Sequence, residues 1–298
     1  MRHVSIYNRL VSVRAVPGLR AIASQYDVFL VDLWGVVHDG ERLFPGVADA
    51  LRQLAAAGRR VIFVTNTSRR APRVSEMLAE MGIGRDLYEA VVSSGDVTRE
   101  ALVSRDPSLF GLLRDRPRCV HVGDPSFVPW LFELGLSFVE DVAEADLVVA
   151  TGSVRDDDAL ASVRERLAPA VARAAPLVCT NPDRVIPTAS GMTLGPGAVA
   201  AAYAELGGRV FLYGKPHPPI YAAARRLLGG AAVRVVAIGD LLDTDVRGAR
   251  GAGIPSALVV ETGGHARDLG PAPSSVALDG LFSAAGVAPD MVLARFAW

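Results

Sequence analysis

The chain has 298 residues, 50% of them hydrophobic and 21% charged, with a formal net charge of −1. That balance excludes a disordered polymer, and with no basic excess there is no electrostatic footprint for nucleic acid or for an anionic membrane surface. No stretch approaches the roughly 18 to 20 apolar residues of a bilayer span and Met1–Tyr7 lacks the apolar core of a signal peptide, so the cytoplasm is the expected compartment.

Read in chain order, short β-branched runs alternate with amphipathic segments, the pattern of βαβ units and a mainly parallel sheet. The strands are expected at Val28–Asp32, Arg60–Thr65, Ala90–Ser93, Val120–Val122, Leu147–Thr151, Leu177–Thr180, Val210–Tyr213, Val233–Ile238 and Ser256–Val260. The helices are expected at Val47–Ala57, Ala71–Met81, Ser126–Leu134, Asp157–Ala174, Ala198–Leu206, Pro219–Leu228 and Thr244–Ala252. Pro45-Gly46, Gly195-Pro196-Gly197 and Pro218-Pro219 supply start signals for three of them. A length of this order is more than one core usually serves, which favours two domains. Cys119 and Cys179 sit inside apolar β-like runs and read as small buried hydrophobes.

In open parallel sheets a ligand lies beyond the carboxyl ends of the strands, so the residues at those ends carry the functional argument. Four ends are chemically related. Asp32 closes the first strand, Thr65-Asn66-Thr67 the second, Gly214-Lys215-Pro216 follows Tyr213, and Gly239-Asp240 is followed by Asp245. Asp32, Asp240 and Asp245 form an acidic set that calls for a divalent cation, and hard oxygen ligands suit Mg²⁺. Thr65 offers a hydroxyl donor and Lys215 a fixed positive charge to a phosphate. Of the 31 basic residues, Lys215 alone is lysine and the rest are arginine. A compact ammonium is not interchangeable with a planar guanidinium, so this exception marks a site that needs a point charge.

These motifs resemble the haloacid dehalogenase-like (HAD) superfamily, and within it the class IIA hydrolases related to NagD and to pyridoxal-phosphate phosphatases. The resemblance runs through Asp32–Gly40 with Pro45-Gly46, Val64–Arg69, Thr180–Asp183, Gly214–Pro218 and Gly239–Asp245. It implies an α/β fold, a Rossmann-like parallel-sheet core with a large inserted α/β cap. The core would comprise residues 1–105 and 208–298, and the cap 106–207. It further implies an Mg²⁺-dependent phosphatase acting on a small phosphorylated metabolite such as a sugar phosphate or nucleotide, and a homodimer. In that reading Asp32 is the nucleophile that forms an aspartyl-phosphate, and Asp32, Asp240, Asp245 and the backbone carbonyl of Trp34 serve the metal. Thr65 and Asn66 bind the transferring phosphoryl group, and Lys215 neutralises its charge.

One position departs from the pattern. Phosphatases of the family carry a second aspartate, the general acid and base, two residues after the nucleophile, and here that residue is Trp34. Three readings follow. His38 or Asp39 takes over proton transfer, against the alternative that both merely build the hairpin turn; or the leaving group needs no acid; or the reaction is not ester hydrolysis. The last reading includes a phosphometabolite-binding protein, an organohalide hydrolase and a phosphonate-cleaving enzyme, although a Schiff-base lysine for the phosphonate reaction is absent from 106–207. Cap loops 152–158 and 183–192 are the candidate substrate contacts, and the run Asp156-Asp157-Asp158 reads as a solvated helix start.

Overall fold

The computed structural model describes residues 13–153, 160–188, 191–229 and 232–298. The Met1–Tyr7 segment and the acidic run Asp156–Asp158 lie outside the described residues, as does part of each candidate cap loop. Fourteen strands appear among the described residues. In chain order they are β1 (Arg14–Val16), β2 (Val28–Val31), β3 (Arg60–Thr65), β4 (Ala90–Ser93), β5 (Arg118–Gly123), β6 (Ser137–Phe138) and β7 (Leu147–Thr151). They continue with β8 (Leu177–Cys179), β9 (Val185–Thr188), β10 (Gly191–Leu194), β11 (Val210–Leu212), β12 (Val235–Gly239), β13 (Ser256–Val259) and β14 (Met291–Leu293).

By compactness the chain divides into two units, with one boundary falling between residues 62 and 63 of β3. The first comprises residues 1–62, 86–89 and 231–298. Its strands lie in the order β1, β14, β13, β12, β2, all parallel, with the first half of β3 following. Parallel strands need helices on their faces, and the residues of β2 are buried throughout, so the strand is a near-continuous hydrophobic run. Helix Val47–Ala56, in the same unit, buries one face. Its buried residues Val47, Ala50, Leu51 and Leu54 recur at the 3.6-residue period of one helix face.

The edge of β2 is pinned at Asp27, which takes ionic contacts from Arg234 at 2.7 Å and Arg59 at 3.2 Å. Hydrogen bonds from the Arg234 side chain, then from its backbone, draw the Asp27 carboxyl from the ordinary 3.8 down to about 2. A depressed carboxyl pKa contributes stability above the unfolded-state value, and that contribution is lost as pH falls from 3.8 toward 2. Asp27→Asn is therefore expected to flatten the acid limb of stability in urea titrations across that window. An unchanged slope in the variant would contradict this role.

The second unit comprises residues 63–85 and 90–230. It holds the second half of β3 beside β4, a five-stranded sheet in the order β11, β8, β7, β5, β6, and the antiparallel hairpin β9–β10. The five-stranded sheet is parallel throughout. Val148, Ala150, Val163, Leu167, Leu177 and Tyr203 are among the side chains of its core, and Tyr203 satisfies its buried hydroxyl by donating to the Ala175 carbonyl at 2.7 Å. Both cysteines are free and buried, as expected, and burial raises each thiol to about 12.

Most expected elements are present within a residue or two, and the differences have local causes. The helix expected at Ser126–Leu134 is two short turns, Pro125–Phe127 and Pro129–Phe132, because Pro129 has no N–H to continue the first. The segment expected to enter a helix at Thr244 first makes a π turn, Leu242–Val246, before Arg247–Gly251. A helix over Ser94–Val103 was not expected at all. Ser93 caps it by accepting from Asp96 N–H, and returns its own hydroxyl proton to the Asp96 carboxylate at 2.9 Å.

Candidate active site

In the first unit, β2 and β12 are parallel neighbours with Val28 opposite Val235 and Val31 opposite Ile238. The pairing carries one residue further, through Asp32 N–H to the Ile238 carbonyl at 2.9 Å. Asp32 and Asp240 therefore leave adjacent strands at the same end of the sheet. The π turn winds Asp245 back onto them, with its carboxylate accepting from Leu241 N–H at 3.1 Å and Thr244 Oγ at 3.4 Å. A Cβ on Gly239 would lie 2.1 Å from Asp245 Cγ, so only glycine leaves room for that carboxylate.

One oxygen from each of Asp32, Asp240 and Asp245 lies within 4.8 Å of the others. Asp240 and Asp245 are buried and Asp32 is partly so. Two ionised carboxylates at 4.8 Å repel by roughly 3.5 kcal/mol at an effective dielectric of about 20. Three of them converging on one point, all hard oxygen donors, fit a divalent cation that takes oxygen ligands.

The loop after Asp32 carries the remaining first-unit candidates. Trp34 is partly exposed, and its indole N–H donates to the Asp39 carbonyl at 3.1 Å. His38 is buried, and its Nδ1 accepts the Gly40 N–H at 3.0 Å. Burial lowers the His38 pKa and so favours the neutral ring. Asp39 accepts from the N–H groups of Glu41 at 2.9 Å and Arg42 at 2.8 Å, and these backbone bonds lower its pKa. His38 Nδ1 and the Asp39 carboxylate thus both take part in the hairpin turn.

In the second unit, Thr65, Asn66 and Lys215 are all buried. Asn66 acts as a clamp: its Oδ1 accepts Lys215 N–H at 2.7 Å, and its Nδ2 donates to the Lys215 carbonyl at 2.9 Å and to Asp183 at 2.8 Å. Both amide protons are used within the protein, so the side chain of Asn66 sets the position of Lys215. Gly214 makes this possible, because a Cβ there would sit 2.4 Å from Asn66 Oδ1. Ser68 continues the loop, bonding Thr180 through the two hydroxyls at 2.6 Å and accepting Gly152 N–H at 3.3 Å. Sequence reasoning assigned no role to Ser68 or Thr180 and took Asp183 only as the start of a candidate substrate-contact loop, although Thr180 and Asp183 lie in a motif that carried the resemblance.

Family models match on either side of the central segment: a haloacid dehalogenase-like hydrolase model over residues 29–137 and a HAD-hydrolase-like model over residues 212–283. The crystal structure of a haloacid dehalogenase-like hydrolase from Brucella suis 1330 superposes with a TM-score of 0.77 at 31% identity, over 94% of this chain and 99% of that one. The acid sugar phosphatase of Staphylococcus aureus (strain USA300) is 30% identical over 244 residues, covering 80% of this chain and 88% of the relative. The chain belongs to the haloacid dehalogenase-like hydrolase family. Glycerol phosphate phosphatase from Mycobacterium tuberculosis, solved in complex with magnesium, is a further neighbour with a TM-score of 0.61 at 27% identity, over 86% of this chain and 74% of that one. The parallel α/β fold and class IIA membership agree with the resemblance. No helix among the described residues is long and apolar enough to cross a membrane.

Proposed function

We propose that the protein is a magnesium-dependent phosphatase of small phosphorylated metabolites, with Asp32 as nucleophile. The observation that carries this is the convergence of the Asp32, Asp240 and Asp245 carboxylates within 4.8 Å at the carboxyl ends of β2 and β12. Support for the substrate class comes from relatives named as acid sugar phosphatase and glycerol phosphate phosphatase, the latter solved with magnesium. Segment 106–207 is the proposed cap, a reading supported by its four parallel strands and its own core.

Mg²⁺ would be held by Asp32, Asp240, Asp245 and the carbonyl of Trp34; when bound it offsets the negative charge of carboxylates and phosphate. One carboxylate oxygen of Asp32 attacks phosphorus, the P–O bond to the leaving group breaks, and the leaving oxygen keeps the electron pair. Water then attacks the phosphorus of the aspartyl-phosphate, releasing phosphate and returning the Asp32 carboxylate, while the proton of the water passes to solvent. Thr65 and Lys215 are assigned to the transferring phosphoryl group, and Asn66 to holding Lys215 in place.

The test is phosphate release from a panel of sugar phosphates, nucleotides, glycerol phosphate, acetyl phosphate and p-nitrophenyl phosphate, with magnesium and with EDTA. Release that needs magnesium is expected for at least one member. No release from any member would refute the reading.

A further inference from the structure

The turn that follows β13, Thr262-Gly263-Gly264-His265, belongs to none of the motifs discussed above, yet it touches the loop after Asp32, the Asp240 carboxylate and the π turn that carries Asp245. Thr262 is buried and its hydroxyl donates to the Gly35 carbonyl at 2.6 Å. Gly264 N–H donates to Asp240 Oδ2 at 2.6 Å, a charge-assisted bond. His265 Nε2 accepts the N–H of Leu242, the first residue of the π turn that carries Asp245, at 3.3 Å.

Sterics point the same way. A Cβ on Gly35 would fall 2.2 Å from Asp240 Oδ2, and one on Gly263 would fall 2.1 Å from the same oxygen. Both glycines have positive φ, +82° and +77°. The Asp240 carboxylate is therefore wedged between two residues that can only be glycine.

Gly35 is also the residue after Trp34. Its N–H donates to the His38 carbonyl at 2.9 Å, and a planar trans peptide points its C=O opposite to its N–H. The Gly35 N–H bond thus turns the Trp34 carbonyl away from His38, while Thr262 fixes the following peptide.

We infer that the Thr262–His265 turn is a positioning clamp for the metal centre, holding the Trp34 carbonyl, Asp240 and Asp245 in their mutual geometry through Thr262 Oγ, Gly264 N–H and His265 Nε2. The inference rests on the metal-centre reading of the proposed function. Its physical basis is that three carboxylates crowded within 4.8 Å repel one another, so an element must hold them together before a cation arrives.

The experiment uses the full chain and manganese alone, with free Mn²⁺ followed by electron paramagnetic resonance and thermal unfolding of the metal-free protein followed by circular dichroism. Thr262→Val is expected to raise the Mn²⁺ dissociation constant about tenfold or more, the usual cost of losing a partner that orients a metal ligand. Thr262→Ser keeps the hydroxyl and is expected to restore affinity. If Thr262→Val does not fold, His265→Leu breaks the third contact and is expected to weaken Mn²⁺ in the same sense. A dissociation constant within twofold of wild type in a folded valine variant overturns the clamp and leaves the phosphatase reading standing. No Mn²⁺ binding by the wild type overturns both.

Discussion

Asp32→Asn is expected to lower magnesium-dependent release of p-nitrophenol from p-nitrophenyl phosphate by roughly 10⁴-fold or more, the scale of losing a nucleophile. The substitution is nearly isosteric. The backbone bond from residue 32 to the Ile238 carbonyl is untouched, and removing one of three mutually repelling charges relieves the metal-free protein. The variant should therefore melt at the same or a higher temperature in EDTA, while wild type gains stability on adding magnesium through linkage to binding. Unfolding cannot then explain the lost activity. Retained hydrolysis in a folded Asp32→Asn protein would refute Asp32 as the attacking group.

The strand ends were legible because β2, β3 and β12 are β-branched runs ended by polar residues, and the carboxyl-end rule for parallel sheets tells where such residues act. Other parts were not readable for physical reasons. β1 and β14 are three residues each and carry no periodicity. The π turn over Leu242–Val246 has the composition of an ordinary helix start; only the need to bring the Asp245 carboxylate onto Leu241 N–H distinguishes it. The helix after Ser93 was readable in principle, since Ser93 and Asp96 stand at capping-box spacing. The roles of Asn66 and Thr262 could not be read locally. Asn66 bonds Lys215, 149 residues away, and Thr262 bonds Gly35, 227 residues away, so neither pairing leaves a trace in short-range pattern.

Trp34 leads to the second large effect. A leaving alkoxide is a poor leaving group without a proton, and general acid catalysis is typically worth about 10² to 10⁴ in rate. The loop after Asp32 offers no strong acid: the indole N–H of Trp34 is bound to the Asp39 carbonyl, Asp39 caps its own turn, and burial favours the neutral ring of His38, whose Nδ1 accepts the Gly40 N–H and whose remaining Nε2–H is a weak proton donor. Wild type is therefore expected to favour acetyl phosphate and aryl phosphates over alkyl phosphates, with kcat/KM falling steeply as the leaving group becomes more basic. Trp34→Asp supplies a carboxyl two residues after Asp32. It is expected to raise hydrolysis of glycerol phosphate by about 10² or more and to leave p-nitrophenyl phosphate little changed, because a group that departs as a stable anion gains little from an acid. The comparison controls for disturbance of the hairpin: losing the Trp34–Asp39 bond acts on both substrates alike, whereas proton donation acts on one. Equal effects on the two substrates, or a flat leaving-group dependence in wild type, would show that the proton comes from a group other than residue 34.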